Sequence, residues 1–192
     1  AGRGRDGLRA ELNLAILRFE RGERDSALAA FDRFIDVYNE SDRPLTSEEL
    51  TAVATAVRYL GAEDPQLFKD ALRAYDEAIA ADPGNLEARV LLGELFLEKY
   101  NGADARATFE EALKLNPNHP RALLGLARAL DFANERGAVE QVEKALAVNP
   151  NLVPARVFLA RLRLAGEEYA EAEAEVERAL EVNPASLEAL AL

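Results

Sequence analysis

"LNPNHP", Leu115 to Pro120, sets two prolines, two asparagines and the chain's one histidine between stretches rich in helix formers. Pro117 has no N–H to donate and pushes Asn116 out of helical conformation, so a helix must end here. The same break recurs as "ADPG" (Ala81–Gly84), "VNPN" (Val148–Asn151) and "VNPA" (Val182–Ala185). Pro83, Pro117, Pro150 and Pro184 are 34, 33 and 34 residues apart. A fixed period of this size marks a stacked repeat array.

Between breaks the chain reads as two helices. "LEARVLLGELFLEKY" (Leu86–Tyr100) is apolar around most of its circumference, as expected of a helix with neighbours on several sides. "NGAD" interrupts it, with Gly102 expected to take the positive φ of a helix C-terminus. "ADARATFEEALKLN" then carries Ala105, Phe109, Ala112 and Leu113 on one stripe and Arg106, Glu110 and Glu111 outside it. Small residues recur where helices must approach: Gly93, Ala105 and Ala112, then Ala127, Ala138 and Ala145, then Ala160, Ala172 and Ala179. Leu92, Phe96, Phe109, Leu126, Leu130, Val142, Leu159 and Val176 fill the gaps between them. The period is one antiparallel helical hairpin.

Leu92, Gly93, Phe96, Ala105, Phe109, Ala112 and Pro117 stand in register with the tetratricopeptide pattern of spaced Leu-Gly, aromatic, Ala, Phe and Pro positions, and the chain resembles that family. Arg89 takes the tryptophan slot and Arg163 a usually aromatic one. The unit ending at Pro150 is a residue short, a deletion placed in its inter-helix turn at Ala133–Gly137. The resemblance implies an all-α fold: a right-handed α-solenoid of about five hairpins plus a truncated sixth, forming one domain over 1–192. Its parts are a degenerate first hairpin (1–45), a second unit with an insertion at "GAEDPQ" (46–85), three clear units (86–184) and the start of another (185–192). Thr46 or Ser47 is the expected cap of the second unit's first helix, and Ser186 that of the last.

Composition narrows the function. The chain is 49% hydrophobic and 30% charged, with net charge −12 and a pI near 4.7. That balance opposes nucleic-acid binding and adhesion to anionic membranes. It also separates the chain from RNA-binding pentatricopeptide arrays, while HEAT and armadillo units are longer. No run approaches the roughly 18 apolar residues of a membrane span. The first residue is not methionine, which reads as a processed or excised N-terminus, and cytoplasmic and periplasmic locations both stay open. Four of 23 cationic residues are lysine; the rest are arginines spread along the chain.

With no Cys and one His, nothing is laid out for a nucleophilic triad or a metal site. No catalytic, metal or cofactor residues are expected, and no enzymatic activity. His119, just before Pro120, reads as a helix cap or loop residue. The glutamates of "GEEYAEAEAEVERALE" read as a solvated face, because Ala172, Val176 and Ala179 claim the buried one.

What the resemblance implies is recognition of a protein or peptide partner in a concave groove lined by the first helix of each hairpin. Carried over by position, the groove comprises Val90, Glu94 and Leu97; Arg121, Leu124 and Arg128, with Asp131; and Val157, Arg161 and Leu164. It reads as an apolar floor flanked by Arg121, Arg128 and Arg161. The Lys and Asn clamp by which some family members hold chaperone C-termini is missing, since those slots hold Val90, Glu94, Leu124 and Arg128. Other readings are an accessory domain of a larger enzyme, such as a peptidase or transferase, and self-association through Leu187–Leu192.

Overall fold

The computed structural model describes residues 5–61 and 66–192, which are helical apart from turns and breaks. The insertion expected at 61–66 falls mostly outside the described residues. Eleven helices lie among those described: α1 (Arg5–Glu20), α2 (Arg24–Asn39), α3 (Ser47–Leu60), α4 (Leu67–Ala81), α5 (Leu86–Glu98), α6 (Gly102–Leu115), α7 (Pro120–Phe132), α8 (Ala138–Val148), α9 (Val153–Ala165), α10 (Tyr169–Val182) and α11 (Leu187–Leu190). The chain divides into two compact units, Ala1–Leu95 and Phe96–Leu192, with the boundary inside α5.

The breaks that fix the period share one geometry. Asp82, Asn116, Asn149 and Asn183 are extended, as the following proline requires. Each also uses its side-chain oxygen to accept the backbone N–H two residues on, at 2.8–3.1 Å. These are Asx turns, which explains why Asp or Asn precedes every one of these prolines. The next helix is then capped by Asn85 Oδ1 from Ala88 N (2.9 Å), His119 Nδ1 from Ala122 N (3.2 Å) or Ser186 Oγ from Ala189 N (3.4 Å). His119 is therefore a cap with Pro120 at the first helical position.

The turns inside the hairpins also repeat. Gly22, Tyr100, Asn134 and Glu167 all have positive φ, from 53° to 81°. In each case the following residue's N–H reaches a carbonyl five residues back, at 2.9 Å: Glu23 to Arg18, Asn101 to Phe96, Glu135 to Leu130 and Glu168 to Arg163. This is the Schellman closure of a helix. The expectation for Gly102 is corrected here: Tyr100 takes the left-handed position, and Gly102 opens α6 behind the cap Asn101. Gly102 is small for another reason, because a Cβ there would lie 2.5 Å from the Phe132 ring.

The short unit carries its deletion within 133–137, as expected: Tyr100 and Asn134 are 34 residues apart, Ala105 and Ala138 only 33. Its turn, 133–137, is longer than those at 99–101 and 166–168, while α8 has 11 residues against 14 in α6 and α10. Ala138, Val142 and Ala145 keep the buried register of Ala105, Phe109 and Ala112. Holding that register with one residue fewer unwinds the first turn of α8, and Gly137 enters the helix at φ 106°.

In unit 1, α1 packs on α2 and α3, α2 on α3, and α3 on α4. Phe31 stacks on Tyr59 at 4.8 Å, and Phe19 meets the same ring edge-on at 5.2 Å. The second helix pair carries a buried polar seam. Ser47 Oγ donates to the Ala78 carbonyl (2.6 Å), Asn85 Nδ2 donates to Ser47 Oγ and Thr51 Oγ1 (2.7 and 2.9 Å), and Thr55 Oγ1 pairs with Tyr75 OH (3.1 Å). Each of these hydroxyls is satisfied, so the seam fixes helix register without stranding a polar group. Thr46 completes a capping box with Glu49. Arg43 grips both Glu49 oxygens (2.6 and 2.9 Å) and, with the Thr46 N–H, holds that carboxyl down at about 2.

In unit 2, consecutive helices from α6 to α11 pack on one another. The α10 glutamates depart from expectation at one position. Glu175 is buried between Arg156, at 2.7 Å, and Arg178. Arg163, in its aromatic slot, binds Glu143 at 2.9 Å and Glu168.

Candidate functional site

The groove residues divide by burial. Val90, Leu124 and Val157 are 0%, 5% and 7% exposed, so they are core and offer no open floor. The reason is visible in unit 2. Leu124 packs in a cluster with Ala127, Val142, Ala155, Phe158 and Leu159, while Val157 is closed over by Ala179 and Ala189. In unit 1, Glu94 lies 3.4 Å from Arg58 of α3. Leu97 and Arg121 are half-buried, and Leu164 is exposed.

What unit 2 brings together is a charged group around one ring. The guanidinium of Arg128, from α7, lies 5.8 Å from the Phe158 centroid; that of Arg161, from α9, lies 5.2 Å from it. Asp131, one turn beyond Arg128, stands 3.7 Å from Arg161. Arg121 is two turns before Arg128, hence on the same side of α7. Stacking on a ring steadies a planar guanidinium and leaves its in-plane N–H donors pointing outward. Phe158 itself is buried. Nothing in the repeat pattern singles it out, although its place three residues before Arg161 sets the two side chains on neighbouring positions of one helix surface.

Local charge fits this arrangement. Residues 120–166 hold seven Arg and Lys against four Asp and Glu, in a chain whose net charge is −12, and of these cations Arg156 and Arg163 pair with Glu175 and Glu168 beyond that span. Among the described residues, no three of His, Cys, Asp and Glu gather as a metal site, and no helix is long and apolar enough to cross a membrane.

Helical hairpins on a 33–34-residue period, punctuated by Asx-Pro turns and presenting side chains from successive first helices, define a helical-repeat interaction scaffold. Models described as tetratricopeptide repeat match residues 9–41, 65–109 and 96–142, and the chain belongs to the tetratricopeptide-repeat family. Among solved structures it is similar to TTC0263, a thermophilic TPR protein of Thermus thermophilus, with 24% identity and a TM-score of 0.76 over 96% of this chain and 95% of that one. It is also similar to Pseudomonas aeruginosa PilF, with 22% identity and a TM-score of 0.68 over 94% of this chain and 78% of that one. A third is YrrB, described as a TPR protein with an unusual peptide-binding site, with 20% identity and a TM-score of 0.57 over 94% and 89%. The search of curated proteins finds no match. The fold class is thus the all-α solenoid of stacked antiparallel hairpins, a fold that is generally a non-catalytic interaction scaffold.

Proposed function

We propose that this protein is a scaffold that holds a peptide segment or helix of a protein partner against the α7 and α9 faces of unit 2. The observation that carries the reading is the clustering of Arg128 and Arg161 on the Phe158 ring, with Arg121 on the same side of α7. Leu164 supplies exposed apolar surface on α9. The arginines set polarity and register, because a guanidinium fork binds acceptor oxygens only in its own plane. Leu124 and Val157 support this face from within the core of unit 2.

Charge reversal at Arg121, Arg128 and Arg161 tests this. The triple Glu variant is expected to fold and to lose partner capture, whereas Lys114→Glu, at an exposed position on α6, retains it. Unchanged capture by the triple variant would place the interaction elsewhere.

A further inference from the structure

Resting on that reading, we propose that the occupant is an acidic peptide segment, and that one of its carboxylates replaces Asp131 on Arg161. Two cations share one ring, and the carboxylate shown beside Arg161 belongs to Asp131, at 3.7 Å. At that separation the pair is longer than a direct hydrogen bond. Asp131 therefore lowers the cost of the empty site without using the donors of the guanidinium. A ligand carboxylate that approaches in the guanidinium plane makes two charge-assisted bonds where Asp131 makes none. Binding then exchanges one ion pair for a better one and returns Asp131 to water. Asp131 acts as an internal competitor: it sets the affinity and excludes weakly acidic ligands.

The local charge favours this occupant over the alternatives. A basic segment would meet the guanidinium groups of Arg128 and Arg161 around Phe158. A neutral apolar helix would strip water from Arg161 without offering its guanidinium an acceptor, a desolvation that costs affinity. A segment with acidic residues flanking one apolar side chain satisfies both, with the apolar group on Leu164.

The test is selection of a phage-displayed random peptide library on the whole chain, followed by fluorescence anisotropy with the selected peptides at low and high salt. Wild-type protein is expected to enrich Asp- and Glu-rich peptides whose binding weakens with salt. Arg128→Glu/Arg161→Glu is expected to lose that enrichment. Asp131→Asn is expected to tighten the selected acidic peptide about two- to fivefold, the range of one exposed ion pair. Unchanged or weaker binding by Asp131→Asn overturns the competitor role. Neutral or basic selected peptides that still depend on Arg128 and Arg161 overturn the acidic ligand and leave the binding face standing. Peptides indifferent to all three arginines overturn both. A wild-type protein that self-associates, and becomes monomeric on charge reversal, assigns the face to a second copy and overturns the proposal.

Discussion

Two hairpin junctions in unit 2 solve the same packing problem with opposite residues. Where α6 meets α7, Phe109 is fully buried and Gly125 faces it so closely that a Cβ would lie 2.2 Å from the ring. One period later, Val142 of α8 takes the Phe109 slot and Phe158 of α9 takes the Gly125 slot, within one core cluster. At each junction one buried aromatic ring fills this pair of slots, contributed from opposite sides. Cores tolerate such exchanges when total volume is kept. The consequence is functional, because only the ring on α9 lies under Arg128 and Arg161. A neutral packing swap provides the platform for the proposed site.

Deleting the rings separates their two roles and has the largest expected effect. Phe109→Ala and Phe158→Ala should each destabilise the protein by about 3–5 kcal/mol, the usual cost of removing a buried Phe. Chemical denaturation measures both. At protein concentrations where each variant is folded, only Phe158→Ala should weaken acidic-peptide binding. Equal weakening by Phe109→Ala would mean that Phe158 matters through stability alone.

Filling the glycine is the next step down. Ala is favoured over Gly inside a helix by about 1 kcal/mol, so a clash must outweigh that gain. Gly125→Ala is expected to cost about 1–3 kcal/mol through overpacking, since the fully buried Phe109 ring must shift to admit the new Cβ. Gly125→Phe combined with Phe109→Val rebuilds the α8/α9 solution at α6/α7. The double variant should be more stable than the two single losses sum to, a coupling that denaturation midpoints resolve. Additive losses would show that the two slots do not share one volume.

These junctions also show what the sequence could reveal. The period, the hairpins, the alanine slots and the caps at Thr46, His119 and Ser186 follow from local signals: Asx-Pro breaks, small residues at fixed spacing, polar residues before helices. Those signals act within a few residues. The exchange of Gly125–Phe109 for Phe158–Val142 is hidden because each residue alone is ordinary, and only the pair carries the meaning. An open floor at Val90, Leu124 and Val157 fails for the same reason, since helical spacing gives a direction but not whether a neighbour lies that way. Glu175 reads like any other α10 glutamate until Arg156 and Arg178 close on it. In the short unit, burial of Ala138, Val142 and Ala145 fixes the helix register and keeps the deletion before Ala138, within the 133–137 turn where the spacing puts it.

The smallest effect concerns the turns that close the same hairpins. Tyr100 and Asn134 occupy equivalent left-handed positions, at φ 58° and 53°. Asn tolerates that conformation, whereas a bulky side chain is strained there. Tyr100 is 80% exposed, so its burial returns little, and its ring meets Phe132 at a centroid distance of 6.3 Å. Tyr100→Asn should therefore stabilise the protein by about 0.5–1 kcal/mol, and Asn134→Tyr should destabilise it by a similar amount. Matched signs in urea midpoints would show that the two turns are interchangeable and that Tyr100 is tolerated strain. Loss of stability in Tyr100→Asn would show instead that the Phe132 contact outweighs the backbone cost. The α5–α6 turn would then be held by its aromatic pair, as the α8/α9 junction is held by Phe158.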